Sequence, residues 1–436
     1  MKASRKWSSM TKSNVNRGSE KLLVNDIHKA KTILKNINWN FYQRSTLSPH
    51  EVHPFDCRKH HWFPATFVPE IPFTLIEVLT LPNAIVYDPF AGIGTTYFQA
   101  LLLNRKPITT EICRVSIEYM RSLFILFNPE ITFDSLKEDL KEMLKDFNQH
   151  KDYTPNGSEN ALIDKLRPWY SEKTLKQLSF LFLKEASCSD KVMKATMRIP
   201  ISAILQTASS QDRGWGCIAD NVLPKQKQVK DKEVFDLFNK RVNTLLKDIS
   251  EHLKYVMPDY NRLYKELSEK QTIFYEDARK YETIPDNFVD LVVTSPPYPN
   301  MTDYVTSQRL SYYFLGCDVT DKNRLIDPNL EIGARSRRRR KDSIDRYLED
   351  MQRANEVISQ KIKSGGYACY VMPVFNVDNE NNRNRKRIVQ KVLFSMDECG
   401  LIMEGEYERI LPTIRRSHNI KWTSLEREKI YLFRKV

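Results

Sequence analysis

The sequence predicts an α/β protein with a seven-stranded, mostly parallel sheet, interrupted by a helical insertion. Three observations carry this. Short apolar runs of strand type alternate with helix-compatible stretches: Ala84–Tyr87, Pro107–Thr110, Thr272–Tyr275, Phe288–Val293 and Tyr367–Met372. Consecutive strands with helical crossovers imply parallel pairing and right-handed connections. A glycine-containing turn, DPFAGIGTT (Asp88–Thr96), separates the first strand from its helix, at the carboxyl end of a strand where open α/β sheets hold ligands. The run Phe288–Val293 ends in Thr294-Ser295-Pro296-Pro297-Tyr298, and proline cannot continue a central strand, so a rigid turn is exposed there.

Taken in order, residues 1–37 form a basic N-terminal arm with a short helix over Lys21–Lys35. Residues 38–127 and 272–436 form the α/β domain, and 128–271 the helical insertion. In HHWFPATFVPEIPFTLIEVL, Pro64 and Pro69 hold an extended turn ahead of a helix over Ile71–Leu79. Gly92 and Gly94 permit a tight turn and close approach of backbone to a ligand, with a helix following over Tyr97–Leu103. The turn lacks the full G-x-G-x-x-G spacing and has no lysine after the glycines, which argues against a dinucleotide fingerprint and a phosphate-gripping loop. Leu-, Lys- and Glu-rich patterns predict insertion helices at Ser135–Asn148, Glu172–Lys184, Lys191–Ala208 and Val234–Glu269. Residues 299–316 read as an aromatic-rich helix and Ile344–Lys361 as another. Asn381–Arg387 reads as a basic loop before a helix to Cys399, and Ile402–Ile410 with Lys429–Arg434 as an antiparallel hairpin closing the sheet.

With 436 residues and 41% hydrophobic content, the chain is globular and able to bury a sizeable core. Its formal charge of +13 points to a polyanionic partner, nucleic acid before membrane. The basic runs Arg335, Arg337, Arg338, Arg339, Arg340 and Arg415, Arg416 are placed for phosphate contact, a solvated charge run being the alternative. Seven dispersed cysteines without a C-x-x-C pattern imply reduced thiols rather than disulfides or zinc. His60 and His61 lack further ligands at suitable spacing and read as packing or surface residues, so no metal is expected. No signal peptide or transmembrane run is present, so a cytoplasmic location and no membrane partner are expected.

The turn Ser295–Tyr298 offers a hydroxyl, proline carbonyls and an aromatic face. These can hold a flat heterocycle and accept hydrogen bonds from an exocyclic amino group. Asp88, at the end of the first strand, is suited to anchor a cationic amino-acid moiety. Glu111 lies some twenty positions past the glycines, at the end of the next strand, where an acidic residue accepts from both hydroxyls of a ribose.

DPFAGIGTT followed by TSPPY resembles the motif pair of the S-adenosylmethionine-dependent amino methyltransferases of DNA, from about Trp39 to the C-terminus apart from the insertion. The resemblance implies a Rossmann-like methyltransferase sheet, S-adenosyl-L-methionine as cofactor and double-stranded DNA as substrate. A cognate restriction endonuclease in a bacterial or archaeal cell, at the nucleoid, is the implied setting. Cofactor contacts fall on Asp88, Pro89, Phe90, Ala91, Gly92, Gly94, Thr95 and Thr96, with Glu111 at the ribose. By the same resemblance, Asp277 accepts from the adenine amino group and Phe67 lies near the adenine. Ser295, Pro296, Pro297 and Tyr298 become the catalytic turn, and Asp303 and Tyr304 lie where the target strand passes. Serine before Pro-Pro favours N4 of cytosine, whereas the order of the motifs departs from many N4-cytosine enzymes and keeps N6 of adenine as the alternative. An RNA base methyltransferase and a non-catalytic nucleic-acid-binding subunit are the remaining alternatives.

Overall fold

The computed structural model describes residues 27–41, 52–145, 163–211, 224, 229–317, 327–375, 380–411 and 426–436. Arg415, Arg416 and the first residues of the helix expected at Lys21–Lys35 lie outside the described residues. Seven strands form one sheet: β1 (Ile85–Asp88), β2 (Lys106–Glu111), β3 (Ile273–Tyr275), β4 (Val289–Thr294), β5 (Ile362–Val374), β6 (Leu401–Ile410) and β7 (Arg427–Lys435). Their order is β3-β2-β1-β4-β5-β7-β6. Strands β1 to β5 pair in parallel, and β7 runs antiparallel between β5 and β6. This is the Rossmann-like methyltransferase sheet. Its strand order reverses between β1 and β4, so the crevice opens at the carboxyl ends of those strands.

Alternation along the strands divides the core. Val86, Leu291, Val293, Cys369 and Val371 point to one face, under helices α1 (Ile27–Lys35) and α2 (Glu70–Leu79). Helices α3 (Thr95–Leu102) and α4 (Arg114–Leu126) follow β1 and β2. The insertion supplies α5 (Phe133–Leu144), a short turn at Ile163–Leu166, α6 (Glu172–Ser187), α7 (Lys191–Ala208), α8 (Val234–Leu253) and α9 (Tyr260–Ser268). Its apolar residues share one continuous cluster with Phe98 of α3 and Met120 and Leu123 of α4. Thus the described residues of 128–271 are packed into the α/β domain rather than standing apart from it. The single helix expected over Val234–Glu269 is two, because Pro258 has no N–H to continue the first.

Within 299–316, only Arg309–Phe314 forms an α-helix, α10, preceded by a 3₁₀ turn at Thr306–Gln308. The aromatic-rich helix expected over 299–316 is therefore short. Pro299 and Asn300, the latter at φ 58°, keep the first part of that run out of helical geometry. Helices α11 (Ser343–Lys361) and α12 (Glu380–Glu398) cover the other face of the sheet, over Tyr87, Val292, Ala368 and Tyr370. The basic run Asn381–Arg387 is helical and not a loop, since long straight side chains sit well on a helix surface. Strand β5 starts before Tyr367 because a register shift between Val289 and Leu291 absorbs Ser364-Gly365-Gly366.

Candidate active site

Strands β1 and β4 are adjacent, with Tyr87 opposite Val292, so the Gly turn and the Pro-Pro turn leave the sheet side by side. Asp88 ties them together. Its Oδ1 accepts from the Thr294 hydroxyl at 2.6 Å and from the Phe90 N–H at 3.1 Å. Burial pushes its carboxyl up to about 6, against the pull of these bonds, and Oδ2 has no hydrogen-bond partner. Asp88 is only 1% exposed and is not among the residues lining the cleft; in the ligand-free protein it fastens the two turns.

Gly92 and Gly94 adopt φ of 52° and 82°, the left-handed region that glycine enters without strain. A Cβ on Gly94 would stand 2.8 Å from Met120 Sδ. The Gly92 N–H donates to Glu111 Oε2 at 2.7 Å, while Glu111 Oε1 accepts from the N–H groups of Ile112 and Cys113 at 2.8 and 2.9 Å. Burial pushes the Glu111 carboxyl up to about 7 despite these donors. The side chain is thus locked at the end of β2, facing the cleft.

The cleft encloses about 780 Å³, its open mouth included. Of the expected cofactor residues, Phe67, Pro89, Phe90, Ala91, Gly92, Thr95, Glu111 and Asp277 line it. Gly94 and Thr96 lie behind it, and the Thr96 hydroxyl donates to the Val293 carbonyl at 3.1 Å. Ser295 and Pro297 reach the cleft wall; Pro296 and Tyr298 do not line it. The Ser295 hydroxyl donates to the Val371 carbonyl at 3.3 Å, and the Tyr347 hydroxyl donates to the Pro297 carbonyl at 3.0 Å. Tyr298 is buried in the sheet core with its hydroxyl towards Val371 and Glu428, so the open aromatic face expected there is not presented in this state.

Two residues expected at the DNA are held by contacts within the protein. Tyr304 lines the cleft, stacked on Phe63 with ring centroids 6.0 Å apart, because the chain turns back after Pro299 instead of forming one outward helix. Asp303 Oδ1 accepts from the Ser336 N–H at 2.8 Å, which holds the turn carrying the arginines. Arg335, Arg338, Arg339 and Arg340 on that segment are exposed, and Arg337 is half-buried. His60 and His61 are buried and satisfied: His60 Nε2 lies 2.8 Å from Asp248 Oδ2, and His61 Nε2 2.7 Å from Ser202 Oγ.

Sequence reasoning missed three residues. Arg279 holds Asp277 at 2.6 Å, Asp350 at 2.7 Å and the Leu330 carbonyl at 3.2 Å, so the Asp277 carboxylate is part of a clamp. The Asp277-x-Arg279 spacing was a visible signal; Asp350 was not. Phe63 covers the Gly turn, and Glu331 enters the cleft from a segment that carries no motif. Among the described residues lining the cleft, four are acidic (Glu111, Glu276, Asp277 and Glu331) and none is basic. That donor set repels a phosphate-bearing cofactor and suits a cationic one. Sheet order and cleft chemistry together fit an S-adenosylmethionine-dependent methyltransferase.

Residues 3–122 match the family described as DNA methylase. The chain is 24% identical over 332 residues to the Type II methyltransferase M.MjaII of Methanocaldococcus jannaschii, covering 71% of this chain and 58% of that protein. It is 26% identical over 331 residues to the Type II methyltransferase M.AvaI of Nostoc sp., covering 67% and 65% respectively. For the Type II methyltransferase M.BsoBI of Geobacillus stearothermophilus, identity is 24% over 340 residues, covering 69% and 63%. The chain thus spans less than two thirds of the length of these curated relatives. These similarities are to DNA methyltransferases, the curated ones of Type II, and they support S-adenosyl-L-methionine as the cofactor. Among the described residues, no helix is long and apolar enough to cross a membrane, and no group of three or more His, Cys, Asp or Glu side chains is placed to hold a metal ion.

Proposed function

We propose that this chain is a site-specific DNA methyltransferase that methylates the exocyclic N4 of cytosine in duplex DNA. It serves as the modification half of a restriction–modification pair with a cognate endonuclease. The observation that carries the reading is Ser295: its turn, at the end of β4, opens on the same cleft as Glu111 and Asp277.

S-adenosyl-L-methionine supplies an electrophilic methyl group on a sulfonium with a good sulfide leaving group. Asp277 receives the adenine amino group, Phe67 packs near the ring, and Glu111 takes the ribose hydroxyls. The Ser295 hydroxyl and the Pro296 carbonyl accept from the target amino group. They draw its lone pair out of conjugation and aim it in line with the methyl group. The target base has to leave the helical stack, at a cost of a few kcal/mol, to reach the cleft beside Ser295. Arg335, Arg337 to Arg340, Arg415 and Arg416 grip phosphates.

Expression in a host lacking DNA methylation, followed by sequencing that distinguishes modified bases, tests the reading. N4-methylcytosine in one short motif supports it. N6-methyladenine in one motif, the second reading that the motif order favours, keeps the turn chemistry and removes the assignment of Ser295 to cytosine. Modified RNA with unmodified DNA sinks the DNA reading.

A further inference from the structure

Glu331 stands in the cleft wall, 3% exposed, on the segment Leu330–Ile332. One of its oxygens accepts from the Val305 N–H at 2.6 Å. Arg337, a cation that acts on it, reaches its backbone carbonyl at 3.4 Å, and no ion pair joins its carboxylate among the described residues. Two of the other cleft carboxylates are better provided for: Asp277 has Arg279 and Glu111 has three backbone donors. Glu276, less deeply buried, accepts from Thr283 and leaves Oε2 without a partner. Besides Arg337, the ionisable groups facing Glu331 are Asp303, Glu111 and Tyr304, and the first two repel its charge. A buried carboxylate left this way is costly unless a cation completes it.

S-adenosyl-L-methionine carries two cationic centres, the sulfonium and the α-ammonium. A carboxylate against the sulfonium would stabilise a charge that methyl transfer removes, favouring the ground state over the transition state. The ammonium keeps its charge throughout, so a carboxylate there holds ground and transition states alike. We propose that Glu331 receives the α-ammonium of the cofactor, the role that the sequence assigned to Asp88. This rests on the reading of the cleft as the S-adenosylmethionine site. Glu331 is then a binding residue that orients the amino-acid end while Glu111 and Asp277 hold the nucleoside.

The test is calorimetric binding of three ligands to the wild type and to Glu331→Gln. S-adenosylmethionine has both cations, S-adenosylhomocysteine has the ammonium alone, and 5′-methylthioadenosine has neither. Glutamine keeps an oxygen for the Val305 N–H, so the fold should survive. The expected result is that both amino-acid-bearing ligands weaken by a similar factor, about tenfold or more, while methylthioadenosine binds unchanged. Loss confined to S-adenosylmethionine would place Glu331 at the sulfonium and overturn the proposal. So would equal loss for all three ligands, or no loss. A wild type that binds none of the three defeats the reading of the cleft itself, a result distinct from those. A second measurement needs no variant. Ionisation of Glu331 with rising pH should strengthen homocysteine-ligand binding between pH 6 and 8 relative to methylthioadenosine. Parallel pH profiles for the two ligands would overturn the assignment.

Discussion

The hydroxyl of Tyr298 lies 3.3 Å from Glu428 Oε1, which fastens the turn after β4 to strand β7 at the other end of the chain. Behind Glu428, Arg409 of β6 is 1% exposed, stands 3.7 Å away and leaves Nε and Nη1 without hydrogen-bond partners. The C-terminal hairpin therefore braces the Pro-Pro turn through a buried ion pair. Removing Glu428 strands the Arg409 charge. Glu428→Ala should lose on the order of 3 kcal/mol in urea unfolding. Tyr298→Phe, which leaves that pair intact, should lose about 1 kcal/mol. Equal losses in the two variants would show that Arg409 does not depend on Glu428.

Arg279 clamps three elements, so its removal should act at a distance from the cofactor contacts. Arg279→Ala leaves Asp277 and Asp350 without their shared cation and frees the Leu330 segment. The expected cost is about 2–4 kcal/mol, with weaker binding of adenosine-bearing ligands. Arg279→Lys should recover only part of it, since an ammonium cannot serve both carboxylates and the carbonyl in one plane. Full recovery by lysine, read by thermal unfolding, would count against the clamp.

Gly94 combines φ of 82° with the closest approach of a hypothetical Cβ in the loop, 2.8 Å from Met120 Sδ. Gly94→Ala should destabilise by about 1–3 kcal/mol through backbone strain and displacement of Met120. Combining it with Met120→Ala should relieve the packing part only. Denaturant unfolding of the single and double variants separates the two contributions.

Burial pushes Glu111 up to about 7 and Glu331 up to about 8. Both lie above the unfolded value near 4.5 given for glutamate. The folded state thus holds protons that the unfolded chain releases, so this part of the stability is full below about pH 4 and is lost as pH rises towards 8. The melting temperature of the ligand-free protein should fall between pH 5.5 and 8.5, and fall by a few degrees less in Glu331→Gln. Identical pH slopes in the wild type and the variant would contradict this.

Arg338, Arg339 and Arg340 are exposed and follow directly from the cleft wall. Each arginine that neutralises a phosphate should add about 0.9 to the slope of log K against log salt on duplex DNA. Replacing the three with alanine should lower that slope by about 2 to 3 while leaving S-adenosylhomocysteine binding unchanged. An unaltered slope would mean that these side chains remain solvated in the complex.

The parts of the site legible in the sequence are those whose signal is local. A buried apolar run closed by Pro296 and Pro297 has to end as a turn at the sheet edge. Gly92 and Gly94 mark backbone that needs positive φ. Glu111 sits one strand and one helix beyond them, a distance set by the βαβ unit. Misreadings arose where local composition was ambiguous: Asn381–Arg387 is basic enough for a loop yet helical, and 299–316 is aromatic enough for a helix yet turns back on itself.

What the sequence by itself determined is the order of strands and helices, the two turns and the residue types they carry, because backbone sterics and hydrophobic periodicity act over a few residues. Which carboxylate faces the cleft was decided by the tertiary structure. Asp88 looks like an anchor in sequence but is turned inward on Thr294, while Glu331 and Arg279, outside any motif, are brought to the cleft from segments far along the chain. Burial and charge pairing depend on neighbours that only the closed sheet supplies, so the electrostatics of the site belong to the fold and not to the motif.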